Sequence, residues 1–423
     1  MYCLTRFPDP KGHEGRINAT PLLLEGSRHT SGGARVEVDL SYLHAQKQSY
    51  SLFPGLIVAV EGMNCSGRKL VAHRICEGAP HAPVKSTVSD LIKFHHGNDF
   101  QGGTPLQIVA ASGPFTCSNN LGYEPLLDLI HMVSQKKPDV VILTGPFVDM
   151  RHKAVASGQT TLVLEHENGE EDEEILVPYV ALFSNKISSL LEELYGADDS
   201  IQTQFDLVPS LDDATAGWVY PQPPFADRGG TNLNIPGAAE VELGTKGLHH
   251  IETVGRGGVE WGRRRVHCVS NPCTLKINEV VFGVTATDVL FHISADETNA
   301  NLEAGSRMGR IAQHMLQQRS YYPLFPGSSN TNLDLKHMDQ WKMPCAPDLL
   351  ILPSKLAPIA RTVLDNSVVV VNPGLLARAS TGGTYAVLDL HLISRDTLEN
   401  AGGDNVELKH NLQDRTGVVI KRI

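Results

Sequence analysis

The feature that most limits the folds open to this chain is a change of rhythm at Gly102-Gly103. Upstream, short apolar runs at 22–24, 35–40, 56–61 and 69–75 are separated by turn clusters such as Ser31-Gly32-Gly33 and Asn64-Cys65-Ser66-Gly67. Strands this short and closely spaced predict a small β-barrel. Helix-like pieces follow between His81 and Thr104. Downstream, apolar strands alternate with helical periods: a strand at 106–112, a helix over 123–136 with Leu126, Ile130 and Val133 on one face, and a strand at 140–143. The pattern continues with a helix over 177–195, strands at 202–208, 279–285, 348–352, 368–371 and 384–390, and a helix over 300–318. Strand–helix–strand order predicts βαβ units in an α/β layer fold. The expected division is a barrel over residues 1–103 and an α/β domain over 104–423.

Two stretches stand out as insertions. Residues 165–174 carry seven acidic side chains and no base, the mark of a solvated loop. Residues 226–262 are Gly-rich, lead into Arg263-Arg264-Arg265, and are expected to be disordered. The first of these dominates the charge balance. The whole chain has 36 Lys and Arg against 47 Asp and Glu, a net −11, and without the seven acids the balance is 36 against 40. Bulk coating of nucleic acid is therefore not expected. The apolar runs are strand-length, far short of a membrane helix. Met1–Pro10 lacks an apolar core, so no signal peptide is expected. The seven scattered cysteines predict a reduced, intracellular chain, and Cys268 and Cys273 lack the second close pair that a zinc ribbon needs.

No Walker-type phosphate loop occurs, and no G-x-G-x-x-G opens a helix after a strand. Most of the eighteen histidines are isolated; the pairs His95-His96 and His249-His250 are expected at the surface. His314 falls on an apolar helix face with Ile311, Met315 and Leu316 and is expected in the core. The string Gln318-Arg319-Ser320-Tyr321-Tyr322-Pro323 carries two aromatics beside an arginine, and packing or a protein interface is the preferred reading over base stacking.

In an open α/β sheet, chemistry gathers on loops leaving the carboxyl ends of strands. Here those loops are Ala111-Ser112-Gly113-Pro114-Phe115, Gly145-Pro146-Phe147-Val148-Asp149, Val208-Pro209-Ser210-Leu211-Asp212-Asp213 and Leu352-Pro353-Ser354-Lys355-Leu356. Their order and spacing resemble the calcineurin-like metallophosphoesterases, whose corresponding loops hold two metal ions. The ligands themselves are missing. Pro146 stands at the bridging aspartate, Leu211-Asp212 at the Asn-His pair, and Ser354 and Leu356 at two histidines. The resemblance leaves Ser112, Gly145, Asp149, Asp212, Asp213, Ser354 and Asn372 as vestigial loop positions, with no catalytic residue, metal or cofactor expected.

A small barrel joined to an inactive phosphoesterase resembles the B subunits of eukaryotic replicative DNA polymerases, in particular the polymerase alpha branch. The strings carrying the likeness are Ser51-Leu52-Phe53-Pro54-Gly55, Leu207-Val208-Pro209-Ser210, Tyr220-Pro221-Gln222-Pro223-Pro224-Phe225, Gln318 through Pro323, Asn372-Pro373-Gly374 and Gly382-Gly383-Thr384-Tyr385. The resemblance implies an oligonucleotide/oligosaccharide-binding (OB) barrel packed on a calcineurin-like α/β sandwich that has lost its metal ligands. It also implies a nuclear, non-catalytic scaffold in the polymerase alpha–primase complex. The implied partner is the zinc-containing C-terminal region of the catalytic subunit, with primase tethered indirectly and DNA contacted weakly or indirectly. The family also has an N-terminal helical domain and linker, which this chain is expected to lack. Two other functions are weighed: a metal-dependent phosphodiesterase with unusual ligands, and a single-strand-binding barrel. Residues 1–105 carry 11 Lys and Arg against 9 Asp and Glu, a feeble charge for the latter.

Overall fold

The computed structural model describes residues 2–5, 22–164, 173–198, 200–225, 265–303 and 305–423. The expected insertion 226–262, the pair His249-His250 and most of 165–174 lie outside the described residues. The acidic stretch is flanked by a hairpin, Thr161–Leu164 antiparallel to Glu173–Leu176.

The N-terminal strands close into a five-stranded barrel: Tyr2–Thr5, Leu22–Gly26, Arg35–Asp39, Lys69–Cys76 and Ile57–Met63, in that spatial order. Alternation along Leu22–Gly26 buries Leu22 and Leu24, which meet Val38, Val58 and Ala72 inside.

The remainder is mixed α/β, built on two sheets. The larger has the order Val266–Cys268, Gln204–Val208, Val140–Thr144, Leu106–Ser112, Thr384–Leu390, Thr416–Arg422. Its first four strands are parallel and its last two antiparallel to their neighbours. The second sheet runs Cys273–Ile277, Val280–Val284, Leu349–Ile351, Val368–Asn372, Ile359–Val363, with a parallel centre. Strand alternation shows how they stack. Ile108, Ala110, Ile142, Leu349, Ile351, Val369 and Val371 share one cluster between the sheets. Their neighbours Val109, Ala111, Val141 and Leu143 face the helices Glu124–Lys136 and Ser189–Ala197. Leu350, Leu352, Val368 and Val370 face the helices Val289–Asp296 and Arg307–Gln317 on the far side. Burial on both faces is why these strands are continuous apolar runs.

The barrel packs on that far side. Leu22, Leu24 and Val58 belong to the same apolar cluster as Ile293, Ile311 and Met315. Here the helix expected over 300–318 needs correction. Thr298–Ala300 is a strand, antiparallel to Tyr50–Leu52 next to the barrel, and the helix begins only at Arg307, where the Ser306 hydroxyl caps Gly309 N–H. The expected surface pair His95-His96 is also corrected. His95 is fully buried and its Nε2 lies 2.7 Å from Glu279, which also takes the Arg415 guanidinium at 2.6 Å. His314 is in the core, as its helical spacing indicates.

The Gln318–Pro323 string is a clasp. The Gln318 amide accepts from Ile57 N–H at 2.8 Å and donates to the Ile57 and Glu77 carbonyls. Arg319 Nε donates to Ala79 O at 2.8 Å. Tyr321 and Tyr322 are buried, which agrees with packing and removes them as base-stacking platforms. Gly55 fits against Phe325 with φ +92°, and a Cβ there would lie 2.4 Å from the Phe325 backbone nitrogen.

Candidate functional site

A cleft of about 470 Å³ opens where the parallel strands of both sheets end. Five of the seven strand-end positions expected from sequence line it directly: Ser112, Gly145, Asp149, Asp212 and Ser354. Asp213 and Asn372 do not line it; both support the loops from beneath.

Asp213 is fully buried. Its Oδ1 accepts from the Phe147 and Val148 N–H groups and its Oδ2 from Ser210 N–H at 2.8 Å, so one carboxylate ties the second loop to the third. Burial lifts its pKa to about 7 in spite of those three donors. Gly145 is required beneath it, because a Cβ would lie 2.2 Å from Asp213 Oδ2. Asn372 plays the same part in the fourth loop. Its Oδ1 accepts from Ser354 N–H and Gly374 N–H, each at 2.9 Å, and its Nδ2 donates to Ala357 O at 3.1 Å.

The other two aspartates are also engaged. Asp149 Oδ1 accepts from Arg151 N–H at 2.9 Å, and Asp212 Oδ2 pairs with the Arg151 guanidinium at 2.8 Å. Burial raises the pKa of both. Ser112 Oγ makes a long contact, 3.4 Å to Gly113 O, and Ser354 Oγ accepts from Leu356 N–H at 3.1 Å.

A two-metal centre needs several His, Asn or carboxylate donors converging on one point. The residues present do not fit one. Pro146 offers no side-chain donor, Asn372 is committed to backbone groups, and Asp213 faces three N–H donors. Among the described residues no group of three or more His, Cys, Asp or Glu is placed to hold a metal ion.

Sequence reasoning missed part of the lining. Asp288 and His292 enter from the loop and helix after Val280–Val284, Arg151 and His152 from just beyond the second loop, and Arg378 from beyond Asn372. The strand at 280–284 is legible in the sequence, and reading its trailing loop, Thr285-Ala286-Thr287-Asp288, in the same way would find Asp288.

The sequence family fits this geometry. A model described as the DNA polymerase alpha/epsilon B subunit matches residues 108–361, which contain the first four strand-end loops. One described as the OB domain of the DNA polymerase alpha B subunit matches residues 3–78, the extent of the barrel. The chain belongs to the DNA polymerase alpha/epsilon B-subunit family.

Similar relatives carry the name of the DNA polymerase alpha B subunit. The one from Rattus norvegicus is 34% identical over 89% of this chain and 52% of its own length. The relative from Schizosaccharomyces pombe is 31% identical over 89% of this chain and 57% of its own. The relative from Saccharomyces cerevisiae is 27% identical over 99% of this chain and 58% of its own. The chain thus spans about half the length of the curated relatives it matches.

Proposed function

We propose that this chain acts as a non-catalytic accessory subunit of a DNA polymerase alpha complex, a scaffold in which the barrel and the two-sheet body form one rigid docking unit. The observation that carries the reading is the use of the strand-end side chains. At the positions where a B subunit's phosphoesterase-like loops would need metal ligands, Asp213 and Asn372 are turned into loop struts. The proposal includes an OB-type barrel over residues 1–103 and a calcineurin-like body over 104–423 without its metal ligands. It also includes a nuclear location and binding to the zinc-containing C-terminal region of the catalytic subunit, with primase held through that partner. No helix among the described residues is long and apolar enough to cross a membrane.

Scaffolding works by raising the local concentration of what it links. The extensive polar clasp between barrel and body favours this reading, since a fixed relative orientation is what a two-domain platform requires. Co-expression with the C-terminal region of a polymerase alpha catalytic subunit tests it. Stable co-elution of the two is expected; a folded chain that elutes alone at micromolar concentration overturns the reading.

A further inference from the structure

The strand-end cleft keeps two exposed cationic side chains, Lys355 and Arg378, that form no salt bridge among the described residues. Its three carboxylates are occupied internally. Asp212 pairs with Arg151, Asp149 accepts from Arg151 N–H, and Asp288 accepts from Phe291 N–H on one oxygen and Lys355 N–H on the other, at 3.0 and 3.1 Å. The cations are not matched in the same way. Lys355 is exposed, its ammonium lies 3.4 Å from the centre of the Phe291 ring, and it forms no salt bridge among the described residues, its charge reaching Asp212 only at longer range. Arg378 is exposed and reaches over the same loop to donate one Nη2 hydrogen to Lys355 O at 2.6 Å, leaving its other donors free of any carboxylate among the described residues.

A third donor lies deeper. His152 is buried and lines the cleft; its Nδ1 accepts from Ala154 N–H at 3.3 Å, so in the neutral ring the proton sits on Nε2. That Nε2 is buried without a hydrogen-bond partner. Buried donors are rarely left unpaired, and an acceptor held in the cleft would satisfy this one.

We propose that the cleft is a metal-independent binding site for a phosphoryl group carried on a small ligand of nucleotide size, gripped by Lys355 and Arg378 at the rim with the His152 imidazole as the inner donor. The cleft volume of about 470 Å³ suits such a ligand, and charge-assisted hydrogen bonds from Lys and Arg are the usual means of holding phosphoryl oxygens. The site is independent of the scaffold reading, and a chain that binds its polymerase partner can still fail this test.

The test is calorimetric titration of the purified full chain at low salt with three probes: ATP, adenosine and inorganic phosphate. ATP is expected to bind with a dissociation constant below about 1 mM and adenosine not to bind. The double variant Lys355→Ala, Arg378→Ala, at two exposed positions, is expected to lose at least about tenfold in ATP affinity, while Lys355→Arg stays within about threefold. Displacement of ATP by inorganic phosphate supports the site and makes free phosphate a ligand too. ATP binding that phosphate does not displace supports it with the nucleoside adding affinity, provided the double variant loses binding. The proposal is overturned by no ATP binding at about 10 mM, by adenosine binding as well as ATP, or by a double variant, folded by circular dichroism, that binds ATP unchanged.

Discussion

At the barrel–body junction, Glu297 has a fully buried side chain that accepts from Ser51 Oγ at 2.6 Å, from Arg310 at 2.8 Å and from Arg307 at 3.1 Å. Ser51 Oγ also meets His314 Nε2 at 2.8 Å, and burial drops the His314 pKa to about 4, so the ring is neutral at physiological pH. At the strand-end cleft, by contrast, Lys355 and Arg378 face solvent without a salt bridge to a carboxylate among the described residues, while Asp213 and Asn372 bond beneath the cleft to backbone groups that tie neighbouring loops together. Both regions are assembled from residues far apart in sequence. The junction turns its charged groups onto other parts of the fold, which fixes the barrel in place. The cleft keeps the frame of a ligand site and leaves its outward groups open. Rigidity and recognition have been separated into different parts of the same chain.

The sharpest way to break this comparison is to open the junction. Glu297→Ala leaves Arg310, Arg307 and Ser51 without their shared acceptor, and the expected loss is about 3 kcal/mol in urea unfolding. A loss below about 1 kcal/mol would mean that the junction is held by its apolar contacts and the polar network is incidental.

The next largest effect is expected beneath the cleft. Asp213→Ala orphans three buried N–H groups and should cost about 2–3 kcal/mol. Its pH behaviour is a separate check. The folded-state pKa of about 7 is raised above the ordinary 3.8. Between those values the folded form holds a proton that the unfolded form has lost. The group's contribution therefore favours the fold near pH 4 and is lost as pH rises toward 7. Asp213→Asn is expected to flatten the stability profile over that interval in a series of urea melts. An unchanged slope would show that Asp213 stays ionised on its three donors.

Much of this is legible in the sequence, and the exceptions have physical causes. The strands at 106–112, 140–144 and 368–372 are buried on both faces, so uninterrupted apolar runs mark them. The helix expected from residue 300 starts late because Thr298–Ala300 takes its strand character from pairing with Tyr50–Leu52, a partner no local window contains. His95 reads as a surface residue because the partners of its ring, Glu279 and the Ile393 N–H, come from distant parts of the chain. Strand order finds the loops holding Asp149, Asp212 and Ser354, but it cannot tell that Asp213 and Asn372 turn beneath the cleft. That depends on which backbone N–H groups the folded loops leave unpaired.

A smaller effect tests the clasp itself. Gln318→Ala removes hydrogen bonds to both the N–H and the C=O of Ile57 and to Glu77 O. The site is only partly buried and water can replace some of these bonds, so about 1–2 kcal/mol is expected. The informative readout is limited proteolysis between residues 76 and 85, the connector that Gln318 and Arg319 hold. Faster cleavage there with little change in global unfolding means that the clasp controls barrel seating locally. Equal changes in both mean that barrel and body unfold as one unit.

The smallest effect belongs to the cleft's own carboxylate. Asp149 lines the cleft, and the hydrogen bond its carboxylate accepts from Arg151 N–H can be accepted as well by an amide oxygen. Burial raises its pKa, with the Asp212 charge adding to the effect and Arg151 opposing it, so removing the charge relieves a modest electrostatic cost. Asp149→Asn is expected to shift stability by less than about 0.5 kcal/mol and to leave co-elution with a polymerase C-terminal region unchanged. A large loss of either would contradict the separation drawn between the two regions, because an outward-facing cleft residue would then be acting as a structural strut or an interface anchor. A stable result leaves Asp149 as a cleft position whose charge the fold does not need.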